Sequence, residues 1–166
     1  MSETIGRLLA AGNVAEVFEW GSRVVKLYRS SARKPTALRE AAIHAAIEAI
    51  PVPAVWGVLE VGGRWGIVFD RVKERSFAER VREDPSVIPE CLQALARLHA
   101  RIHSQTARQF GSLKSRLATN IAGTGFLDEP RKQILLGRLA DMTDGDRLCH
   151  GDFYPINVLG QTCCRW

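Results

Sequence analysis

Leu148-Cys149-His150-Gly151-Asp152-Phe153-Tyr154-Pro155-Ile156-Asn157-Val158-Leu159 is the stretch whose reading decides the fold. Leu148-Cys149 is a short, strand-like apolar lead-in, and Val158-Leu159 is an apolar exit. Between them a polar loop carries His150, Asp152 and Asn157, with one residue between the first two and four between the last two. Carboxylate and amide oxygens are the donors that hold a hard cation such as Mg²⁺. A His-Gly-Asp triplet alone is uninformative, so the block takes its meaning from what precedes it.

The preceding chain falls into recognisable elements. Thr4 to Ala10 is an apolar run broken at the turn signal Ala11-Gly12-Asn13. Val14 to Trp20 alternates, Gly21-Ser22 is a two-residue turn, and Arg23-Val24-Val25-Lys26-Leu27-Tyr28 is rich in β-branched residues. These predict three antiparallel strands, with Gly21 supplying the hairpin angles that other residues resist. Pro35 suits the first turn of a helix, where its missing N–H costs nothing. Leu38, Ala42, Ile43, Ala46, Ile47 and Ile50 then recur at helical spacing and predict its buried face, until Pro51 and Pro53 end it. Ala54 to Val61 and Arg64 to Phe69, joined by Gly62-Gly63, predict two more strands.

The expected fold is therefore α+β: a five-stranded antiparallel lobe over 1–70 with one helix after the third strand, a connector over 71–76, and a mainly helical part over 77–166. Its helices are predicted over Phe77 to Arg82, from Asp84-Pro85 to Ser104, over Leu113 to Ile121, and from Asp128-Glu129-Pro130 onward. The second should form one apolar face from Ile88, Cys91, Leu92, Leu95, Leu98, His99 and Ile102. The fourth carries Ile134, Leu135, Leu139 and Met142 on one side.

Composition excludes several classes. At 166 residues, 46% hydrophobic and 25% charged, the chain has the make-up of a globular protein with a proper core. No apolar run approaches the ~18 residues that cross a bilayer, and Met1-Ser2-Glu3-Thr4 lacks a basic n-region and apolar h-region. A cytoplasmic protein with no membrane partner is expected. The +5 net charge is spread among carboxylates, as in Arg71-Val72-Lys73-Glu74-Arg75, so a solvated surface is expected and not a nucleic-acid site. The four cysteines show no disulfide or C-x-x-C spacing; Cys91 and Cys149, set among apolar residues, are expected to be buried thiols. His99 and His103 have no third ligand at suitable spacing and predict no metal site. Trp20, Trp56 and Trp65 are expected to be packing residues.

Five strands with a helix after the third, then helices, then this loop, is the order of a protein kinase. With Gly151 where those enzymes have Arg, the block resembles the aminoglycoside phosphotransferase and choline kinase family. Ala94-Leu95-Ala96-Arg97-Leu98-His99 is also similar to the helix preceding the loop in that group, and the likeness extends to about Leu159. The resemblance implies transfer of the ATP γ-phosphoryl to a hydroxyl of a small, cationic molecule, with ATP and Mg²⁺ as cofactors. It implies that Asp152 accepts a hydrogen bond from the acceptor hydroxyl, that His150 braces the loop and that Asn157 contacts the metal. Lys26 corresponds to the strand lysine that reaches the phosphates, and Glu40 to the helix carboxylate that steers it. Gly12 and Asn13 lie in the turn that approaches the phosphates; Phe69, Asp70 and Val72 lie in the hinge that meets adenine.

Each residue also has a plainer reading. The turn has one glycine where G-x-G-x-x-G has three, so it can be an ordinary hairpin. Lys26 can be a strand lysine reaching for water, and Glu40 a solvated helix carboxylate. After Asn157 the family carries a further metal-binding Asp, whereas Val158 to Trp166 holds no carboxylate. The chain is therefore expected to be truncated and impaired; the alternative is an inactive kinase-like module that binds nucleotide or a partner. The helical faces within 90–104 and 130–142 are expected to stay exposed and promote self-association.

Overall fold

A computed structural model describes residues 4–29, 34–47 and 50–160. The tail beyond Gly160, Glu48 and most of the expected loop before α1 lie outside the described residues. The strands are β1 (Ile5–Ala11), β2 (Ala15–Trp20), β3 (Arg23–Tyr28), β4 (Val55–Val61) and β5 (Arg64–Phe69). They form one antiparallel sheet in the order β1-β2-β3-β5-β4, and helix α1 (Lys34–Ala45) separates β3 from β4. The α+β class, the five antiparallel strands and the helix after the third are as expected. Gly62 and Gly63 both adopt positive φ, 56° and 74°, so this two-residue hairpin takes the twist that matches its strands.

Alternation along β3 divides the core of the sheet. Tyr28 packs with Ile67, Phe69, Ala37 and Ala41 on the face that α1 covers. Val25 and Leu27 pack with Val68 on the other face. The buried stripe of α1 differs from the expected one. Ala37 and Ala41 are buried, whereas Leu38 is 47% exposed and Ala42 is exposed. Small alanines let the helix approach the sheet closely, and residues 37, 40, 41 and 44 share one helical stripe. That stripe carries Glu40, so the helix turns its polar residue, and not its bulkiest apolar ones, toward β3. Ile47 lies beyond the helix, which ends at Ala45.

The later helices are α2 (Phe77–Glu83), α3 (Ile88–Ser104), α4 (Leu113–Gly123) and α5 (Glu129–Asp141). Ser76 caps α2 in a reciprocal box: its hydroxyl accepts from the Glu79 N–H, and its own N–H donates to Glu79 Oε2 at 2.8 Å. Asp128 caps α5 by accepting from the Arg131 N–H at 3.0 Å. Cys91, Leu98 and Ile102 of α3 are buried, but Leu92 is 59% exposed and His99 is also exposed, so the expected apolar face is only partly covered.

The chain divides into two compact units, one running to His99 and resuming at Asp152, the other being Ala100–Gly151. The 71–76 connector, expected as the lobe boundary, lies within the first. In the second, Leu148 is buried and its N–H donates to Gln105 O at 2.9 Å, while Arg147 bridges Thr106. The lead-in to the loop is thus an isolated bridge and not a strand. Cys149 follows that bridge, and its thiol is exposed and not buried as expected. Trp56, expected to be a packing residue, is 57% exposed on an edge strand and packs beneath the Arg23 guanidinium, which lies 3.5 Å from its ring centre. Among the described residues, no helix is long and apolar enough to cross a membrane.

Gly66 marks the tightest place in the sheet. A Cβ there would lie 2.5 Å from Leu27 Cδ2 and 2.7 Å from the Lys26 carbonyl oxygen. Gly66→Ala is expected to cost about 1–3 kcal/mol, read as a lower midpoint in urea unfolding with an unchanged slope.

Candidate active site

The candidate residues fall into two pairs of side chains, one turn and one connector. On β3, Lys26 points to the face that α1 covers, and its Nζ donates to Glu40 Oε1 at 2.7 Å. Tyr28, two residues on and therefore on the same face, donates its hydroxyl to the second oxygen, Glu40 Oε2. The Lys26 ammonium also lies 5.5 Å from the centre of the Tyr28 ring. Both oxygens of one carboxylate are thereby occupied by donors from one strand. Burial pushes the Glu40 carboxyl up, but the Lys26 charge and the hydrogen bonds from Lys26 and Tyr28 outweigh it and hold it below its usual range. The Tyr28 phenol is pushed far up, first by burial and then by Glu40. His44, one turn beyond Glu40, is held down mainly by burial, and its ring packs against Phe69 at 5.1 Å.

The turn between β1 and β2 holds Gly12 and Asn13, with the Gly12 N–H donating to Ala15 O at 2.9 Å. Gly12 does not use a positive φ, and a Cβ there would meet only Ala15 O at 3.4 Å. Glycine therefore keeps the turn slim without being needed for its backbone angles. Arg29, just past β3, donates to the carbonyls of both Gly12 and Asn13.

In the connector, Phe69 is buried and ends β5, paired with Val24 on one side and Val55 on the other. The Asp70 N–H donates to Ala54 O at 3.0 Å, and its carboxylate accepts from the Trp56 indole at 2.7 Å. Leu9 of β1 lines a pocket with Arg71, Val72 and Lys73.

The loop itself is built around Asn157. Its Nδ2 donates to the Asp152 carboxylate and to the Asp152 carbonyl, both at 2.8 Å. A 3-10 turn at Pro155–Asn157 sets this up, with the Asn157 N–H on Tyr154 O at 2.9 Å. Gly151, at φ 85°, provides the bend before Asp152. The Phe153 ring stacks on His99 at 5.0 Å, with 9° between the planes. At the exit, Val158 is buried and its carbonyl accepts from the Phe77 N–H at 2.9 Å, while Leu159 bridges Ser76. The start of α2 thus fastens the end of the loop. His150 is half-buried and falls in the unit Ala100–Gly151.

Sequence reasoning missed Tyr28, Arg29, His99 and the Ser76–Phe77 anchor. Ser76 could have been found, since Ser-x-x-Glu is a capping signature; His99 was set aside as a metal ligand and serves as a ring support. Asp152 ties down the Asn157 amide nitrogen and leaves the amide oxygen, a hard donor that could hold Mg²⁺, on the other side. Among the described residues, no group of three or more His, Cys, Asp or Glu side chains could hold a metal by itself.

A strand lysine braced by a helix carboxylate, on such a sheet and followed by an Asp–Asn loop, defines a kinase-like phosphotransferase. Residues 9–162 match the model of the phosphotransferase enzyme family, APH, and the chain belongs to that family. No curated protein matches it.

Because the folded state holds Glu40 more acidic than the unfolded chain does, its contribution to stability is complete above about pH 4.5 and is lost as pH falls through the lowered value. Glu40→Gln is therefore expected to be less stable than wild type near neutrality, with the gap closing below that pH. Urea midpoints at several pH values check this, and a gap independent of pH would contradict it.

Proposed function

We propose that this protein binds ATP with Mg²⁺ and transfers the γ-phosphoryl group to a hydroxyl of a small molecule in the cytoplasm. The single observation that carries this reading is the Lys26–Glu40 ion pair at 2.7 Å, within a family of phosphotransferases. A lone strand lysine needs no such partner. One held by a buried-side carboxylate, whose other oxygen is also fixed, is oriented for an anion.

Phosphoryl transfer is catalysed by position and charge more than by covalent chemistry. Lys26 would neutralise phosphate oxygens, with Glu40 and Tyr28 setting the direction of its ammonium. The purine would lie against Leu9 and Val72; the Asp70 N–H is engaged by Ala54, so Asp70 offers the purine its carbonyl. Asp152 would accept the hydrogen bond of the acceptor hydroxyl and align its oxygen, with Asn157 fixing the carboxylate and His150 bracing the backbone. Mg²⁺, when bound, supplies charge that stabilises the transferring group, and the Asn157 amide oxygen would hold it. A cationic acceptor of the aminoglycoside or choline type is the substrate class that the family resemblance favours.

A second reading, a module that binds nucleotide without transferring phosphate, is favoured by the sparse metal ligands, since among the described residues no group of three or more His, Cys, Asp or Glu side chains could hold a metal. The two separate cleanly. MgATP is expected to raise the melting temperature of wild type, and Lys26→Ala to abolish that rise. Asp152→Asn should keep the rise but lower transfer to a panel of hydroxyl acceptors by about 10²-fold or more. A rise with no transfer to any acceptor in wild type would select the second reading.

Self-association belongs to the same proposal. Leu92 of α3 is exposed, and so are Ile134 and Leu135 of α5 and Met142 just beyond it. Sedimentation is expected to show mass rising with concentration and Leu92→Lys to reduce it; a monomer at every concentration would overturn this part.

A further inference from the structure

We propose that Arg29 is a positioning residue for the phosphate groups, acting through the β1–β2 turn; this rests on the nucleotide reading above. Its guanidinium contacts two successive carbonyl oxygens: Nη2 donates to Gly12 O at 3.0 Å, and Nε to Asn13 O at 3.1 Å and Gly12 O at 3.3 Å. The backbone N–H of the same residue donates to Val14 O at 2.9 Å. One residue therefore gathers the carbonyls of 12, 13 and 14.

The consequence lies on the other side of each peptide plane. A trans peptide directs its C=O and the following N–H in opposite directions, and the turn contains no cis bond. With the carbonyls of Gly12 and Asn13 drawn to the guanidinium, the amides of Asn13 and Val14 point away from it. Successive amides aimed one way form a concavity that favours an anion.

The side on which the guanidinium lies is also defined. Lys26 and Tyr28 occupy the α1 face of β3, so position 29 belongs with Leu27 on the opposite face. Glu16 confirms this: it pairs in register with Leu27, and its carboxylate lies 3.6 Å from Arg29 Nη1. The guanidinium is thus on the face away from Lys26, and the amides it sets face the side that Lys26 serves. Arg29 supplies no group to the phosphates; it fixes the orientation of those that do. A turn with one glycine and no positive φ would otherwise be free to rotate its peptide planes.

Calorimetric titration of the full chain with MgADP and with adenosine separates the phosphate part of binding from the purine part. Wild type is expected to favour MgADP. Arg29→Ala should weaken MgADP binding about tenfold while adenosine changes by less than about twofold. Arg29→Lys keeps the charge but lacks the planar fork that holds two carbonyls, and should resemble Arg29→Ala. Wild-type MgADP affinity in Arg29→Lys would show that charge alone matters and would overturn the proposal. Equal losses for both ligands would overturn it too, by showing a general effect on the fold. If Arg29→Ala does not fold, Arg29→Lys decides alone. Wild type that binds neither ligand removes the nucleotide reading and this inference with it. Wild type that favours MgADP, with variants that favour it equally, removes only the role of Arg29.

Discussion

A carboxylate with both oxygens committed governs the first half of this structure. Glu40 reaches Lys26 and Tyr28 because α1 lies close to β3, and α1 lies close because alanines, not leucines, face the sheet. The interaction is partly exposed, so its value to stability alone is modest. Its larger effect is on direction. Three groups on two elements hold one another in place, and a change in the packing at Ala37 or Ala41 would be transmitted to the lysine ammonium. Helix placement and charge placement are one constraint here.

The loop after the helices follows the same logic with different chemistry. The Asp152 carboxylate is held in place by the Asn157 amide. A local 3-10 turn sets Asn157, and a distant element anchors the residues that follow it. The start of α2 grips Val158 and Leu159, and Arg80 donates to the Gly160 carbonyl at 3.3 Å. The stacked His99 and Phe153 rings add lateral support.

Much of this was legible from the residues. Gly21, the Gly62-Gly63 pair and the β-branched run at β3 located the strands, and the His150–Asn157 spacing located the loop. Lys26 and Glu40 were found by their order along the chain. The buried face of α1 was misread because periodicity counts apolar residues, whereas contact with a sheet rewards small ones; Ala37 and Ala41 beat Leu38. Arg29 and Tyr28 carry no motif, since their roles lie in which carbonyl or carboxylate they meet across the sheet. Cys149 and Trp56 sit among apolar neighbours in the sequence, but Cys149 follows an isolated bridge and not a strand, and Trp56 lies on an edge strand, and both are exposed.

The first unit is discontinuous in sequence, interrupted after His99 and resumed at Asp152. This has a kinetic consequence. During synthesis the sheet and α1 can close as soon as β5 leaves the ribosome, because their contacts are local. The Phe77–Val158 and Arg80–Gly160 bonds must wait until the intervening unit has been made. Closing such a long loop is entropically costly and slow relative to local pairing. The half that holds the sheet is thus assembled early in the life of the chain, and the loop from Asp152 to Leu159 is the last part to set.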